Sequence, residues 1–285
     1  MLPNFVVVGA PKAGTTSLYN YLKGHPDVFL PHRKELLFFD SSFHKGLPWY
    51  ERYFKHYRGE KAAGDISPTY MSNPFVPKRM RRTIPDAKIV FILRDPVERA
   101  YSHYWDLVGW GSSASFKETL RAPTMYKRGH GYIEFDILDF GLYSLHIKRF
   151  LDHFPAEQCG FFLYDDLRDR PQEFLNGILR FIGVSERPLP LTERKFHTCR
   201  VNRSRLFGNV LVSERLRDLT YSCVPSALVP ACRGLYESLL SLNTKKIKPP
   251  AMGEEEKSFL KERYRGEILS LQDLIRKDLS SWLQR

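Results

Sequence analysis

Apolar runs and apolar faces alternate along this chain, and their order predicts its architecture. Phe5-Val-Val-Val8 is a short β-branched run with no polar interruption, the pattern of a parallel strand buried on both faces. A glycine-bearing loop follows, and Thr16–Leu22 then reads as a helix with Leu18, Tyr21 and Leu22 on one side. Ile89–Leu93 is a second buried strand. It runs into Arg94-Asp95-Pro96, where Asp95 caps a helix and Pro96 suits its first position; that helix carries Val97–Trp105. Leu142, Leu145, Phe150 and Phe154 predict a helix over 142–153, ended by Pro155, and Phe161–Leu163 a third strand. Phe174, Ile178, Phe181 and Ile182 share a helical face. From Glu255 to Leu283 the apolar spacing predicts one long helix with a packed side. Strand–helix alternation implies an α/β fold: a P-loop-type central parallel β-sheet flanked by helices on both faces, in a single domain spanning 1–285.

Composition adds a partner class. The 285 residues are 42% hydrophobic and 27% charged, and 44 Lys and Arg against 32 Asp and Glu give a formal charge of +12. Such an excess favours an anionic partner such as a polyanion or a polyphosphorylated nucleotide. The basic residues are spread along the chain, and no nucleic-acid-binding signature accompanies them, so a nucleic acid is not the expected partner. Cys159, Cys199, Cys223 and Cys232 form no C-x-x-C pair and read as free thiols, with a small Cys223–Cys232 disulfide loop as the alternative. No signal peptide or membrane anchor is read from the sequence, so the expected location is cytoplasmic, or the Golgi lumen if the sequence is trimmed. Nine histidines show no ligand spacing, and no metal is expected. His32 is near Glu35 in sequence and reads as a loop residue or an aid to orienting an acceptor.

The loop after the first strand carries the chemistry. Strand, glycine-rich turn and helix start present backbone N–H groups and a helix N-terminus to phosphate. Gly9 and Gly14 allow the tight path, and Thr15, Thr16 and Ser17 add hydroxyl donors. A nucleoside triphosphatase would read G-x-x-x-x-G-K-[ST]. Here Thr15 follows the second glycine, and the lysine is Lys12, inside the loop. That places its charge beside a phosphate already held by the backbone. No strand ends in the acid-rich pattern of a Mg²⁺ site; the second ends in Arg94, which suits a terminal phosphate or, alternatively, a surface ion pair with Glu98.

These residues, in "GAPKAGTTSLYNYLKGHPDVFLPHRKELLFFD", "GDISPTY", "FILRDPVERAYSHY", "FGLYSLHIKRFLDHFPAEQ" and "LYDDLRDRPQEFLNGILRFIGV", resemble the sulfotransferases that use 3′-phosphoadenosine 5′-phosphosulfate (PAPS), particularly the heparan-sulfate-type group and its bacterial relatives. The resemblance implies that Lys12, Ala13, Gly14, Thr15, Thr16 and Ser17 hold the 5′-phosphosulfate and that Lys12 stabilises the leaving phosphate. It implies that Arg94 and Ser102 grip the 3′-phosphate, and that Arg203 and Arg205 belong to a basic loop closing over the nucleotide. Glu35 becomes the base that deprotonates the acceptor, where the residues alone equally allow a helix start. Lys34, Glu35, Asp65, Ser67 and Tyr143 become acceptor-side residues, Tyr143 being equally readable as an ordinary helix aromatic. Asn202-Arg203-Ser204 also reads as a glycosylation acceptor.

The implied reaction is metal-free sulfuryl transfer to a hydroxyl or amine, releasing adenosine 3′,5′-bisphosphate. The acceptor is a small molecule, lipid or saccharide, and the oligomeric state is open. Two departures bear on it: Asp65-Ile66 stands where glycosaminoglycan-modifying members carry Glu-Lys, and Leu37 replaces a frequent histidine. A non-catalytic polyanion- or nucleotide-binding module and a P-loop kinase are the alternative readings.

Overall fold

The computed structural model describes residues 1–110, 112–128, 131–188, 200–202, 242 and 244–284. Their contacts form two compact units, one built from Met1–Arg99, Asp139–His197 and Ser258–Arg285, the other from Ala100–Leu138 and Thr198–Lys257.

A five-stranded parallel sheet organises the first unit. Its strands are β1 (Phe5–Gly9), β2 (Val28–Phe29), β3 (Ala62–Ile66), β4 (Lys88–Leu93) and, at the far edge, β7 (Cys159–Leu163), in the order β2-β3-β1-β4-β7. The β1 and β3 residues are buried throughout, as covering of both sheet faces requires. Register places Phe5 opposite Gly64 and Val6 opposite Asp65 on one side of β1, and Val6 opposite Ile89 on the other. The Phe5 ring fills the space that a side chain at position 64 would need: a Cβ there would lie 2.1 Å from Phe5 Cζ. That contact sets β1 against β3 at the amino end of the strand, away from the end at which the loop leaves it.

Helices α1 (Thr15–Leu22), α2 (Leu47–Glu51) and α3 (Val76–Thr83) precede β4, and α4 (Pro96–Trp110) follows it. As expected, the Asp95 carboxylate accepts from Val97 N (2.9 Å) and Pro96 is the first helical residue. In α1 the buried ring is Tyr19 rather than Tyr21; its hydroxyl donates to the carbonyls of Pro31 (2.7 Å) and His32 (3.1 Å), so a polar tip secures the loop that follows. The second unit contains α5 (Phe116–Arg121) and two antiparallel pairs, β5 (Thr124–Arg128) with β6 (Gly131–Phe135), and β8 (Arg200–Asn202) with β9 (Thr244–Lys246).

Beyond β6 the first unit resumes with α6 (Tyr143–Leu151), then α7 (Tyr164–Asp169) and α8 (Pro171–Phe181). The tail is not one helix. α9 (Glu254–Ile275) stops where Arg276 takes a left-handed φ of 53°, and α10 (Ser280–Gln284) restarts with Asp278 accepting from Ser280 N (2.9 Å). Leu279 and Trp282 still reach the core because the break re-aims the chain. Among the described residues no helix is long and apolar enough to cross a membrane. Cys159 is buried and free, and burial pushes its thiol up to about 12. Cys199, Cys223 and Cys232 lie outside the described residues, as do Arg203 and Arg205.

Candidate active site

The site grows from the carboxyl ends of β1 and β4. The chain leaves β1 toward β2 on one side of the sheet, and leaves β4 toward β7 on the other. Adjacent strands whose connections diverge in this way open a crevice at their carboxyl ends, the usual ligand position in a parallel sheet. The β1 loop enters it from one strand and Arg94 from the next.

The loop's conformation is unusual and well supported. Lys12 has φ 69° and Gly14 has φ 83°, both in the left-handed region. Gly14 is the N-cap of α1, and no side chain there accepts from the first-turn amides. Four N–H groups open every helix without an intrahelical acceptor, and those of α1 lie at the helix end that the loop leads into. A Cβ on Gly14 would lie 2.4 Å from Leu167 Cδ2 and 3.2 Å from Tyr164 Cδ2, so α7 closes the loop from outside and forbids a larger residue. Ala13, Gly14 and Thr15 are buried, while Lys12, Thr16 and Ser17 are partly open. These features fit a phosphate group: backbone donors in a tight concavity with a lysine beside it.

Arg94 is joined to that loop directly. Its Nη1 donates to the Lys12 carbonyl (3.1 Å), its Nε and Nη2 donate to Glu98 Oε2 (3.3 and 3.1 Å), and its guanidinium lies 4.6 Å from the centre of the Tyr164 ring. The ion pair with Glu98 anticipated as an alternative is therefore present together with the loop contact. Tyr164, immediately after β7, thus touches both the loop and Arg94. Sequence reading passed over it, although its place at the end of a parallel strand was the available signal. Ser102 lies in the second turn of α4, within the second unit.

Tyr143, read as an acceptor-side residue or an ordinary helix aromatic, is fully buried, and its hydroxyl donates to the Arg94 carbonyl (2.9 Å) at the end of β4. Burial pushes its phenol well up, so it remains a donor.

Glu35 lies in an irregular segment rather than at a helix start. Its φ is 61°, its N–H donates to the Ile66 carbonyl (3.1 Å), and its carboxylate pairs with Lys34 Nζ (2.6 Å), with about a third of the side chain exposed. His32 is exposed, 6.2 Å from the His56 ring. Asp65 and Ser67, read as acceptor-side residues, are both buried, and Asp65 is 1% exposed. Ser67 Oγ donates to Asp65 Oδ1 (2.8 Å), and the hydroxyls of Tyr50 and Tyr70 donate to Oδ2 (2.9 and 3.0 Å). All of these bonds point inward, and neither side chain reaches the surface. Burial raises the Asp65 carboxyl, its three hydroxyl partners oppose that shift, and the nearby Glu35 charge adds to it. Among the described residues no group of three His, Cys, Asp or Glu forms a metal-binding cluster.

The sulfotransferase domain family matches residues 2–207. The chain belongs to that family. It is 30% identical over 202 residues to mouse heparan sulfate glucosamine 3-O-sulfotransferase 3B1, covering 69% of this chain and 49% of that protein. It is 39% identical over 112 residues to membrane-associated sulfotransferase kil1 of Dictyostelium discoideum, covering 38% and 24%. The chain thus spans about half or less of the length of these curated relatives. The crystal structure of a sulfotransferase from Alicyclobacillus acidocaldarius covers the full length of both chains with a TM-score of 0.73 at 26% identity.

Proposed function

We propose that this sulfotransferase-family chain moves a sulfuryl group from PAPS to an acceptor hydroxyl, with Glu35 as base and Lys12 as the cation at the leaving phosphate. The observation that carries the reading is the bond from Arg94 to the Lys12 carbonyl, which ties two phosphate-binding cations to one crevice between β1 and β4. When bound, the nucleotide supplies the sulfuryl group and leaves as adenosine 3′,5′-bisphosphate. The first-turn amides of α1, with Thr15, Thr16 and Ser17, hold the 5′-phosphosulfate. Lys12 neutralises charge building on the 5′-phosphate oxygen as its bond to sulfur breaks. Glu35 takes the acceptor proton as oxygen attacks sulfur in line, and Lys34 orients its carboxylate meanwhile. Arg94 exchanges Glu98 for the 3′-phosphate, joined by Ser102, and Arg203 and Arg205 complete the nucleotide contacts.

The heparan sulfate relatives support a saccharide acceptor, and a small-molecule hydroxyl is the broader class. Residues 1–285 are proposed as one domain, since the family match at 2–207 runs through parts of both compact units. Incubation with ³⁵S-labelled PAPS and a panel of saccharide and small-molecule acceptors tests the activity. The expected result is label transferred to an acceptor by the native chain and not by Lys12→Ala. Equal transfer by both proteins would remove Lys12 from the mechanism.

A further inference from the structure

The segment that presents Glu35 is unusual in how it is held. Glu35 and Leu37 both have left-handed φ angles, 61° and 58°, although neither is glycine. Conformations of this kind cost about 1 kcal/mol or more each, and persist only where surroundings over-determine them. Here the restraint comes from alternate residues. Glu35 N donates to the Ile66 carbonyl (3.1 Å), Leu37 N to Ser67 Oγ (3.4 Å) and Phe39 N to the Tyr70 hydroxyl (3.3 Å). Two of those three acceptors are hydroxyls whose own protons are given to Asp65. Once its proton points at Asp65, each hydroxyl has only lone pairs to offer the segment, so it must accept from the amide. A buried carboxylate thereby dictates the direction of two hydrogen bonds that it does not itself make. Burial and the Asp65 charge hold the Tyr50 and Tyr70 phenols far up, so both stay protonated donors.

We propose that Asp65 is a positioning residue for Glu35, acting through Ser67 and Tyr70 to lock the Glu35–Phe39 segment in its left-handed course. This deepens the reading of Glu35 as base and rests on it. Tyr50 supplies an internal control. It gives Asp65 a bond like that of Tyr70 (2.9 and 3.0 Å), yet it lies outside the relay because its hydroxyl receives no segment amide.

The test compares kcat, KM for PAPS and affinity for adenosine 3′,5′-bisphosphate in Tyr70→Phe, Tyr50→Phe, Ser67→Ala and Asp65→Asn, with melting temperatures alongside. Asp65→Asn, which disturbs both relays, is expected to lower kcat about 10- to 100-fold, the scale of a misplaced catalytic group, with nucleotide affinity held. Tyr70→Phe and Ser67→Ala, which each leave one relay, are expected to cost less, about threefold to tenfold. Tyr50→Phe is expected to lower the melting temperature about as much as Tyr70→Phe while kcat stays within about twofold. Should Asp65→Asn fail to fold, the two tyrosine variants and Ser67→Ala still decide the matter. In a Glu35→Gln background, Tyr70→Phe is expected to add nothing, because its effect passes through Glu35. Equal kcat losses in the two tyrosine variants, unchanged kcat in both Tyr70→Phe and Ser67→Ala, or additivity with Glu35→Gln would overturn the proposal. Near-native turnover by Glu35→Gln itself would sink the base assignment instead, a result distinct from the others.

Discussion

The loop after β1 and the segment around Glu35 serve the same proposed reaction, yet they are held by opposite means. The loop draws its glycines, its lysine and a helix start from within a dozen residues, and Arg94 adds one brace from far along the chain through the Lys12 carbonyl. Its outside wall is the packed face of Tyr164 and Leu167. The Glu35 segment has no such local rule. Residues about thirty positions away, Asp65, Ser67 and Tyr70, dictate its course through hydrogen bonds. Backbone geometry alone can cradle an anion, whereas aiming a carboxylate at a proton needs side chains from elsewhere in the fold.

The sharpest way to separate the two regions is to remove one working group from each. Glu35→Gln is expected to lower kcat about 10²- to 10⁴-fold, the usual cost of losing a general base, with adenosine 3′,5′-bisphosphate affinity unchanged. Lys12→Ala is expected to lower kcat about 10²- to 10³-fold and, unlike Glu35→Gln, to weaken that nucleotide as well. Calorimetric titration beside steady-state rates distinguishes them; matched losses of affinity in both variants would erase the contrast.

A structural lesion comes next in size. Gly14→Ala puts a methyl group against Leu167 at a φ of 83°, so the loop must shift. It is expected to destabilise the chain by about 1–3 kcal/mol and to abolish nucleotide binding, as read by chemical denaturation and titration. The smallest effect is expected from Tyr143→Phe, which removes only the bond to the Arg94 carbonyl. About 1 kcal/mol of stability and a few-fold in nucleotide affinity should go, with kcat at saturation retained. A large fall in kcat there would mean that Tyr143 does more than brace β4.

How much of this was legible in the sequence follows the same division between near and far. The β1 strand, the loop, the Asp95 cap and Arg94 at the end of β4 are all written in adjacent residues, and each is found in place. β3 escaped notice because Ala62-Ala-Gly-Asp-Ile66 has almost none of the β-branched character that marks buried strands; its small residues make room for neighbours such as Phe5. The break after Ile275 was hidden by apolar spacing that continues through it, although Asp278 before Ser280-Ser281 is a capping signal. Tyr143 and Asp65 were placed beside an acceptor because nothing in a linear chain shows that a polar side chain will be turned inward. Burial depends on partners such as Tyr50 and Tyr70, which only the folded sheet brings to Asp65.

The proposed site for a 3′-phosphorylated adenosine nucleotide joins the loop with Lys12 to the β4 end with Arg94. Titration of the full chain with adenosine 3′,5′-bisphosphate and, separately, with ATP and Mg²⁺ tests it without any need for the acceptor. Saturable binding and a raised melting temperature with the bisphosphate, both lost in Arg94→Ala, are the predicted result. Tighter binding of ATP with Mg²⁺, or bisphosphate binding indifferent to Arg94, would contradict it.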